Sequence, residues 1–462
     1  MPHTRGKIEK GGPRGKHMNS RRVVITGLGL VTPVGIGAEA VWTGLLENRS
    51  GIGRISVFDP SRFDSQVGGE IAGLKVADFV PKSYRKSTKV MARDIEIAVA
   101  AACLAARDAG LRTKCLIDRQ EVEGPPNFDP TRFGANIGAG LICADLTELA
   151  GALYTASDGQ GHFDIRKWGS DGMNNLTPLW LLKFLPNMLS CHVTIVHDAQ
   201  APSNTITCAE AASHLAIGEA FRTIARGAAD ICICGGAESK LNPMGLMRQS
   251  LLKRLSLTHN EAPERACRPF DVSRDGSVIS EGGGLLILEE LEHARARGAR
   301  IYCELAGFGA STNTHSWSEP HPEGAGIASA IRKAMADAEV SPGDVDLIGA
   351  FGSGTVAHDL SEARGIQAAL GARAQEVPVM AIKGSMGNNG AGSGAIDVAV
   401  AALSIQHNTV PPAVNTEKVD PACGLNVVVG SAAKLGVNTA VSVAYALGGG
   451  QNAALVLKRL EG

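Results

Sequence analysis

The chain has 462 residues, of which 44% are hydrophobic and 20% charged, and its formal net charge is −1. This length and apolar content suffice to bury a large core without disulfides or metals. The near-neutral charge gives no electrostatic basis for binding nucleic acid or a membrane surface, and no apolar run is long enough to cross a bilayer. We therefore expect a cytoplasmic globular protein whose partners are proteins or small molecules.

The side chains that form disulfides or bind metals show no recognisable spacing. None of the ten cysteines belongs to a CxxC pair, and the twelve histidines form no HExxH motif. Cys232 and Cys234 lie in the apolar run ICICGG, which predicts a buried strand. We predict buried thiols in a reducing compartment, with no metal and no cofactor.

The N-terminal segment, residues 1–20, is basic and glycine-rich and lacks an apolar core, which predicts a disordered tail rather than a signal peptide. A strand, RRVVITGLG, begins at Arg21, and a helix is predicted near 38–48. Residues 90–110 then predict a long helix that is apolar on most faces and ends at a glycine. A helix of that composition belongs in the centre of a layered protein.

The middle of the chain mixes strands with less regular segments. The run RFGANIGAG, residues 132–140, predicts a strand, whereas 146–172 predicts an irregular insertion or lid. From Thr177 the bulky apolar residues have helical spacing up to a proline at 186, and Trp180 and Phe184 share one face. That face would form an interface or tunnel wall, or pack in the core.

Residues 203–227, SNTITCAEAASHLAIGEAFRTIARG, predict a short β-branched strand that breaks into an amphipathic helix. Cys208 and Glu210 lie at the joint. Condensing enzymes and hydrolases mount a nucleophile at joints of this kind. The Met- and Leu-rich run KLNPMGLMRQSLLKRLSL, which follows ICICGGAES, would line an acyl channel or fill core.

The second half repeats the alternation of the first. Helices are predicted at 324–338, 361–370 and 386–405, and strands at 345–352, 377–382, 437–450 and 452–460. We predict an α/β protein with two similar halves, residues 21–287 and 288–462, built from stacked layers of sheet and helix.

Four blocks of the sequence together resemble one enzyme family. They are RRVVITGLGLVTPVG, GGAES, the long block CRPFDVSRDGSVISEGGGLLILEELEHARARGARIYCELAGFG, and GGGQNAALVLKRL. The chain after Met18 is similar throughout to the β-ketoacyl-acyl-carrier-protein synthases of the elongating, type II-like branch of the thiolase superfamily. The resemblance implies a thiolase-like five-layered αβαβα fold, a dimer, and an acyl tunnel at the dimer interface.

The resemblance also assigns the positions of a catalytic triad of one cysteine and two histidines. Aligning IGEA, residues 217–220, places Glu210 at the cysteine. The segment FGSGTVAHDLSE stands where the family has HGTxTxxxD…E and places Phe351 at the first histidine. The segment KGSMGNN stands where the family has KSxxGH and places Asn388 at the second.

These three substitutions argue against condensation on this chain. A carboxylate at Glu210 attacking a thioester would give a mixed anhydride, which is more reactive than its precursor. Phe351 has no proton to give, and Asn388 donates a weak hydrogen bond but is neither acid nor base.

Other positions of the family's site are retained or changed in ways that concern its shape. Lys383, Asp359 and Glu362 match family positions that shape the site. Gly448 stands where elongating synthases place a gating phenylalanine.

Two alternatives concern the joint itself. A register shift of two residues would make Cys208 the nucleophile, with His214 and His358 as the nearby histidines in sequence. Glu210, for its part, would either cap the helix that follows, or have a functional role by bonding across the interface or blocking the pocket.

A ketosynthase-like chain without the triad resembles a chain-length factor. We expect it to pair with an active ketosynthase, to contribute to the acyl tunnel through the region of Trp180, to be inactive alone, and to act with acyl carrier protein in fatty-acid or polyketide synthesis. The alternatives are an active 3-oxoacyl synthase using Cys208, a malonyl decarboxylase using Glu210, and a non-catalytic homodimer that binds acyl chains or carrier protein.

Overall fold

The computed structural model describes residues 21–461, so the tail predicted for residues 1–20 lies outside the described residues. The strands are β1 (Val23–Thr32), β2 (Gly35–Ile36), β3 (Ile52–Arg54), β4 (Val67–Gly69), β5 (Phe133–Ala139), β6 (Ser203–Ile206), β7 (Ile231–Ser239), β8 (Ile279–Glu290), β9 (Cys303–Thr312), β10 (Leu347–Gly349), β11 (Pro378–Met380), β12 (Thr409–Val410), β13 (Asn426–Val427), β14 (Ala433–Lys434), β15 (Thr439–Tyr445) and β16 (Gln451–Lys458). The helices are α1 (Ala38–Leu46), α2 (Arg93–Asp108), α3 (Lys114–Asp118), α4 (Leu146–Thr155), α5 (Ile165–Ser170), α6 (Met188–His197), α7 (Ala212–Ala225), α8 (Pro243–Leu251), α9 (Leu291–Ala296), α10 (Ala325–Asp337), α11 (Val356–Leu370), α12 (Lys383–Met386) and α13 (Ser393–His407).

The strand order occurs twice in the same pattern. In the first half the order is β6-β5-β7-β8-β1, and in the second it is β11-β10-β15-β16-β9. In both, the first three strands are parallel to one another. The fourth strand pairs antiparallel with the third and with the fifth. The sheets meet where β1 pairs antiparallel with β9. The predicted similarity of the two halves therefore exists at the level of topology, and position 287, the predicted end of the first half, lies inside β8.

Alternation along the strands separates the core into layers. In β8, Leu286 and Leu288 join a central cluster with α7 and α13, whereas Leu285 and Ile287 face the other side, towards α2. In the second half, the inward face of β16 joins the central cluster and its outward face packs with α10 and α11. Because successive side chains of a strand point to opposite faces, these clusters define five layers, αβαβα, as predicted.

Two predictions about helices were wrong. The apolar helix α2 lies in an outer layer, because α6 and the segment around Leu74 and Val76 cover its far side. The central helix is α13, which is buried along nearly its whole length. The predicted helix at 386–405 is interrupted, because Gly387 and Gly390 adopt left-handed φ values of 72° and 58°.

The segment 146–172, predicted as irregular, contains α4 and α5. Their N-termini are capped by Asp145 and Asp164, whose carboxylates accept the backbone N–H two residues further on. Trp180 and Phe184 do lie together, with ring centroids 5.5 Å apart, but on a short 3₁₀ helix, Trp180–Phe184. All ten cysteines are free thiols, and seven of them are buried.

Candidate functional site

The joint between β6 and α7 forms a tight turn that buries one carboxylate. A 3₁₀ turn, Ala209–Ala211, precedes α7, and Ala209 adopts a left-handed φ of 47°. This conformation is costly for a residue with a Cβ atom, so the surroundings must hold it. The turn points Glu210 into the protein, where it is 3% exposed, and leaves Cys208 half-buried before it.

Three donors from separate parts of the chain converge on the Glu210 carboxylate. Lys240 Nζ lies 2.6 Å from Oε1, and Asn388 Nδ2 donates to the same oxygen at 3.2 Å. The backbone N–H of Leu447 donates to Oε2 at 3.0 Å. Burial raises the pKa of Glu210, but the charge and hydrogen bond of Lys240, with the Leu447 N–H, outweigh it and leave the pKa at about 2. Glu210 is therefore a fixed anion.

Lys240 comes from the residue just after β7 and is buried between two carboxylates. Burial lowers its pKa, but the charges of Glu210 and Glu238 raise it more, so Lys240 remains an ammonium. Glu238 also accepts the backbone N–H of Ala391 at 2.7 Å, and its pKa is raised chiefly by burial.

Phe351, at the first histidine position, lies fully buried. Its ring contacts Tyr445 at a centroid distance of 5.3 Å, and Lys383 Nζ lies 4.7 Å from its centroid. Glu362 fixes the backbone there by accepting the N–H groups of Phe351 at 2.7 Å and Gly352 at 2.9 Å. Burial raises the pKa of Glu362 to about 8.

Asp359 holds a neighbouring loop in the same way. It accepts the backbone N–H of Phe270 at 2.8 Å and of Gly354 at 3.1 Å, and the hydroxyl of Ser353 at 2.8 Å. Burial raises its pKa above the ordinary value for aspartate. Asp359 and Glu362 therefore position backbone rather than face an open pocket.

Lys383 forms a second buried ion pair, in the centre of the molecule. Its Nζ lies 2.6 and 2.7 Å from the two carboxylate oxygens of Asp397, on α13. Burial raises the pKa of Asp397 to about 6, because Lys383 offsets only part of the cost of burying the charge.

A cavity of about 370 Å³ opens beside the joint. Its lining residues are Leu141, Cys143, Ala209, Glu210, Glu238, Ser239, Lys240, Gly245, Arg248, Gln249, Leu251, Leu252, Arg254 and Gly448. Gly448, at the predicted gate position, therefore borders the same space as Glu210. Within residues 21–461 no group of three or more His, Cys, Asp or Glu side chains is placed to hold a metal ion, and no helix there is long and apolar enough to span a membrane.

Two family models cover most of the chain. The β-ketoacyl synthase N-terminal domain matches residues 20–294, and the C-terminal domain of the same family matches residues 302–417. The chain belongs to the β-ketoacyl synthase family. It is 36% identical over 445 residues to the 3-oxoacyl-[acyl-carrier-protein] synthase 2 of Synechocystis sp., and the match covers 96% of this chain and 100% of that protein.

Solved structures of ketosynthases share the fold. One is the type II PKS complex AntDE:AntF, an acyl-carrier protein with its ketosynthase bound to the hexaketide, with a TM-score of 0.81 and 29% identity over 96% of this chain and 100% of that chain. Another is the ishigamide ketosynthase/chain length factor, with a TM-score of 0.80, 29% identity and the same coverage. The thiolase-like fold predicted from the sequence is thus confirmed.

The other nucleophile considered for this ketosynthase-like chain, Cys208, has no activating partner among the described residues. Burial raises its pKa, which disfavours the reactive thiolate. His214 bonds Ser442 Oγ at 3.0 Å, and His358 lies between Thr355 and the Leu447 carbonyl, so neither imidazole bonds the thiol.

Sequence reasoning brought together Glu210 and Asn388 but missed their charged neighbours. Asp397 could have been found from the sequence, because a single carboxylate in the apolar run AIDVAVAAL requires a buried partner. Lys240 had none, because a lysine after the end of a strand is normally solvated.

Proposed function

We propose that this chain is a ketosynthase-like subunit without the Cys-His-His triad, which pairs with an active ketosynthase and helps to set the length of the acyl chain in fatty-acid- or polyketide-type synthesis. The observation that carries the proposal is the buried Glu210 carboxylate, held by Lys240, Asn388 and the backbone of Leu447. The role is that of a chain-length factor, acting by shape.

The chemistry at the three triad positions supports a non-catalytic role. A carboxylate with a pKa of about 2 and three donors is a weak nucleophile and cannot hold an acyl group stably. Phe351 offers no proton, and the amide of Asn388 is occupied by Glu210. Neither decarboxylation nor enolate stabilisation has its donors here.

Exposed features between residues 141 and 206 support pairing with a second subunit. Within the described residues the edge strand β6 pairs with β5 alone, and its residues Ser203 and Asn204 are exposed. Exposed apolar side chains cluster in the preceding segment, namely Leu141, Ile142, Leu146, Leu153, Tyr154, Phe163, Ile165, Met173, Leu179, Leu181, Leu182 and Ile195. Many exposed apolar side chains in a segment that leads into an open edge strand are typical of a protein interface.

A basic segment supports contact with carrier protein as the second partner. Lys82, Arg85, Lys86 and Lys89 lie on one 3₁₀ helix, Lys82–Val90, and all four are exposed. We place the carrier-protein contact on this segment, because opposite charges accelerate encounter with an anionic partner.

The test is co-expression with a ketosynthase of the same organism that keeps the cysteine and both histidines. We expect a stable 1:1 heterodimer by native mass spectrometry, and a changed distribution of product lengths when Trp180 is replaced by alanine. The matched control is Trp168→Ala, a second tryptophan of the same segment, which packs on Phe163 and should leave product length unchanged. A homodimer that condenses malonyl carrier protein by itself would contradict the proposal.

Chemical labelling tests the active alternatives directly. Intact mass of the isolated chain after incubation with an acyl donor should show no covalent adduct, and Glu210→Cys alone should give no condensation because Phe351 and Asn388 remain. An adduct that disappears in Cys208→Ala would establish Cys208 as the nucleophile instead.

A further inference from the structure

Two buried thiols face each other where α2 turns back into α3. The Leu111 N–H donates to the carbonyl of Ala106 at 3.0 Å and closes α2, and α3 begins three residues later. This turn brings Cys103 of α2 beside Cys115 of α3, and both side chains are fully buried in one apolar cluster. The two thiols lie within hydrogen-bonding reach of each other. Two cysteines can be bridged only where their side chains already point towards each other, and this pair meets that condition.

The surroundings of the pair make one thiol the more reactive. The hydrogen bond from Cys115 lowers the pKa of Cys103, burial opposes this, and the positive charge of Arg107 adds to the lowering. The same hydrogen bond raises the pKa of Cys115, which therefore keeps its proton. By contrast, burial raises the pKa of the thiols of Cys208 and Cys267. Since the thiolate is the nucleophile, Cys103 is the better placed to attack an oxidant.

The pair lies under a thin cover. The helix α3 has five residues, and Lys114 and Asp118 at its ends are exposed. A helix of this length has little stability of its own and opens locally without global unfolding. Such an opening admits hydrogen peroxide, whereas a bulky oxidant such as glutathione disulfide would need a much larger one.

Cys115 also fixes a neighbouring segment, residues 76–90, which carries the exposed lysines of the 3₁₀ helix Lys82–Val90. The Cys115 thiol donates to the carbonyl of Phe79 at 3.4 Å, and Arg119 Nη1 donates to the carbonyl of Val80 at 2.8 Å. A disulfide has no S–H group, so oxidation would remove the first of these two bonds and leave the second. The redox state of the thiols would therefore change how firmly this segment is held.

We propose that Cys103 and Cys115 form a redox-active dithiol, which hydrogen peroxide converts into an intramolecular disulfide and which external thiols restore. The Cys103 sulfur attacks one peroxide oxygen and the O–O bond breaks, which gives a sulfenic acid and, with the Cys103 proton, one water. The Cys115 sulfur then attacks the Cys103 sulfur, the S–O bond breaks, and the hydroxide leaves with the Cys115 proton as a second water. Two electrons pass from the thiols to the peroxide.

This modification site goes beyond the proposed function and does not depend on it, because both cysteines and their surroundings belong to this chain. Disulfide formation in a chain that binds no ketosynthase would reject only the pairing. A heterodimer whose two thiols stay reduced would reject only this site.

The test is peptide mapping of the reduced full-length chain after titration with hydrogen peroxide, with free thiols blocked by N-ethylmaleimide in denaturant. We expect a linked peptide pair containing Cys103 and Cys115, which dithiothreitol separates. Cys103 should be oxidised at least about tenfold faster than Cys303, a fully buried thiol of β9. Hydrogen exchange of residues 76–90 should be faster in the oxidised chain than in the reduced one.

Single variants identify the order of the steps. Cys115→Ala should accumulate a sulfenic acid on Cys103 that dimedone traps, and Cys103→Ala should give neither the trapped acid nor the disulfide. The matched control is Cys303→Ala, which should leave the yield of the linked pair unchanged.

Three results would overturn the assignment. These are recovery of Cys103 and Cys115 as alkylated thiols after peroxide treatment, oxidation of Cys103 and Cys303 at equal rates, and linkage of Cys103 to a different cysteine. If thermal melting shows that an alanine variant does not fold, the peptide map of the unmodified chain decides the question.

Discussion

Two buried ion pairs, one in each half of the molecule, join a lysine to a carboxylate at the same closest distance of 2.6 Å, Lys240–Glu210 and Lys383–Asp397. The pKa of Glu210 falls to about 2, whereas that of Asp397 rises to about 6. Glu210 receives two further donors, while Lys383 is the one donor to the Asp397 side chain among the described residues. The cost of burying the charge is outweighed at Glu210 but not at Asp397, and the carboxylate with more donors is the one whose pKa falls.

The largest expected effect is the loss of the lysine beside Glu210. Lys240→Met leaves the Glu210 and Glu238 carboxylates buried without an ammonium, and we expect the free energy of unfolding at pH 7 to fall by about 3–5 kcal/mol. Urea denaturation measures this, with Lys434→Met, an exposed lysine, as the control. A loss below about 1 kcal/mol would mean that the pair does not carry the buried charge.

The next effect concerns acid stability. A depressed pKa gives Glu210 a contribution that is present above about pH 4.5 and is lost as the pH falls towards about 2. At about 1.4 kcal/mol per pKa unit, the unmodified protein should lose about 3 kcal/mol more than Glu210→Gln over this interval. Denaturation at a series of pH values measures the difference, with the exposed Glu292→Gln as control. If the free energy of unfolding changed with pH equally in the unmodified protein and in Glu210→Gln, the lowered pKa of Glu210 would be contradicted.

The opposite slope is expected at the second pair, with a slightly smaller size. A raised pKa means that the folded protein binds more protons, so the contribution of Asp397 declines as the pH rises from about 4 to about 6. Relative to Asp397→Asn, the unmodified protein should lose up to about 3 kcal/mol across that interval. The same urea series reports it. A slope of the same sign as for Glu210 would show that Lys383 outweighs burial.

The sequence was sufficient for the fold because its strands and glycine turns follow local rules and because the matched blocks span the chain. It failed where burial depends on distant elements. The helix α2 is as apolar as a central helix, but what covers it comes from α6 and from residues 74–76, far away in sequence. The segment 146–172 was misjudged although DLTE at 145–148 is a capping pattern, because its helices are short and largely exposed.

The candidate site also has features that the sequence predicted and features that depend on distant residues. Alignment of short motifs placed Glu210 and Asn388 at positions that the fold brings into contact. It could not supply the ionisation state of Glu210, which depends on Lys240, thirty residues away along the chain. Nor could it show that Arg254 lies buried beside a cavity, since an arginine in LLKRLSL is ordinarily solvated.

The open edge at strand β6 affects how readily this chain aggregates when it is produced alone. Its outer backbone groups have no neighbouring strand within the described residues, so the strand is open to any extended segment. It is only four residues long and carries polar side chains, which limits such mispairing. Under the proposed pairing, soluble yield should therefore rise when the partner ketosynthase is co-expressed, and balanced production of the two chains should protect both from aggregation.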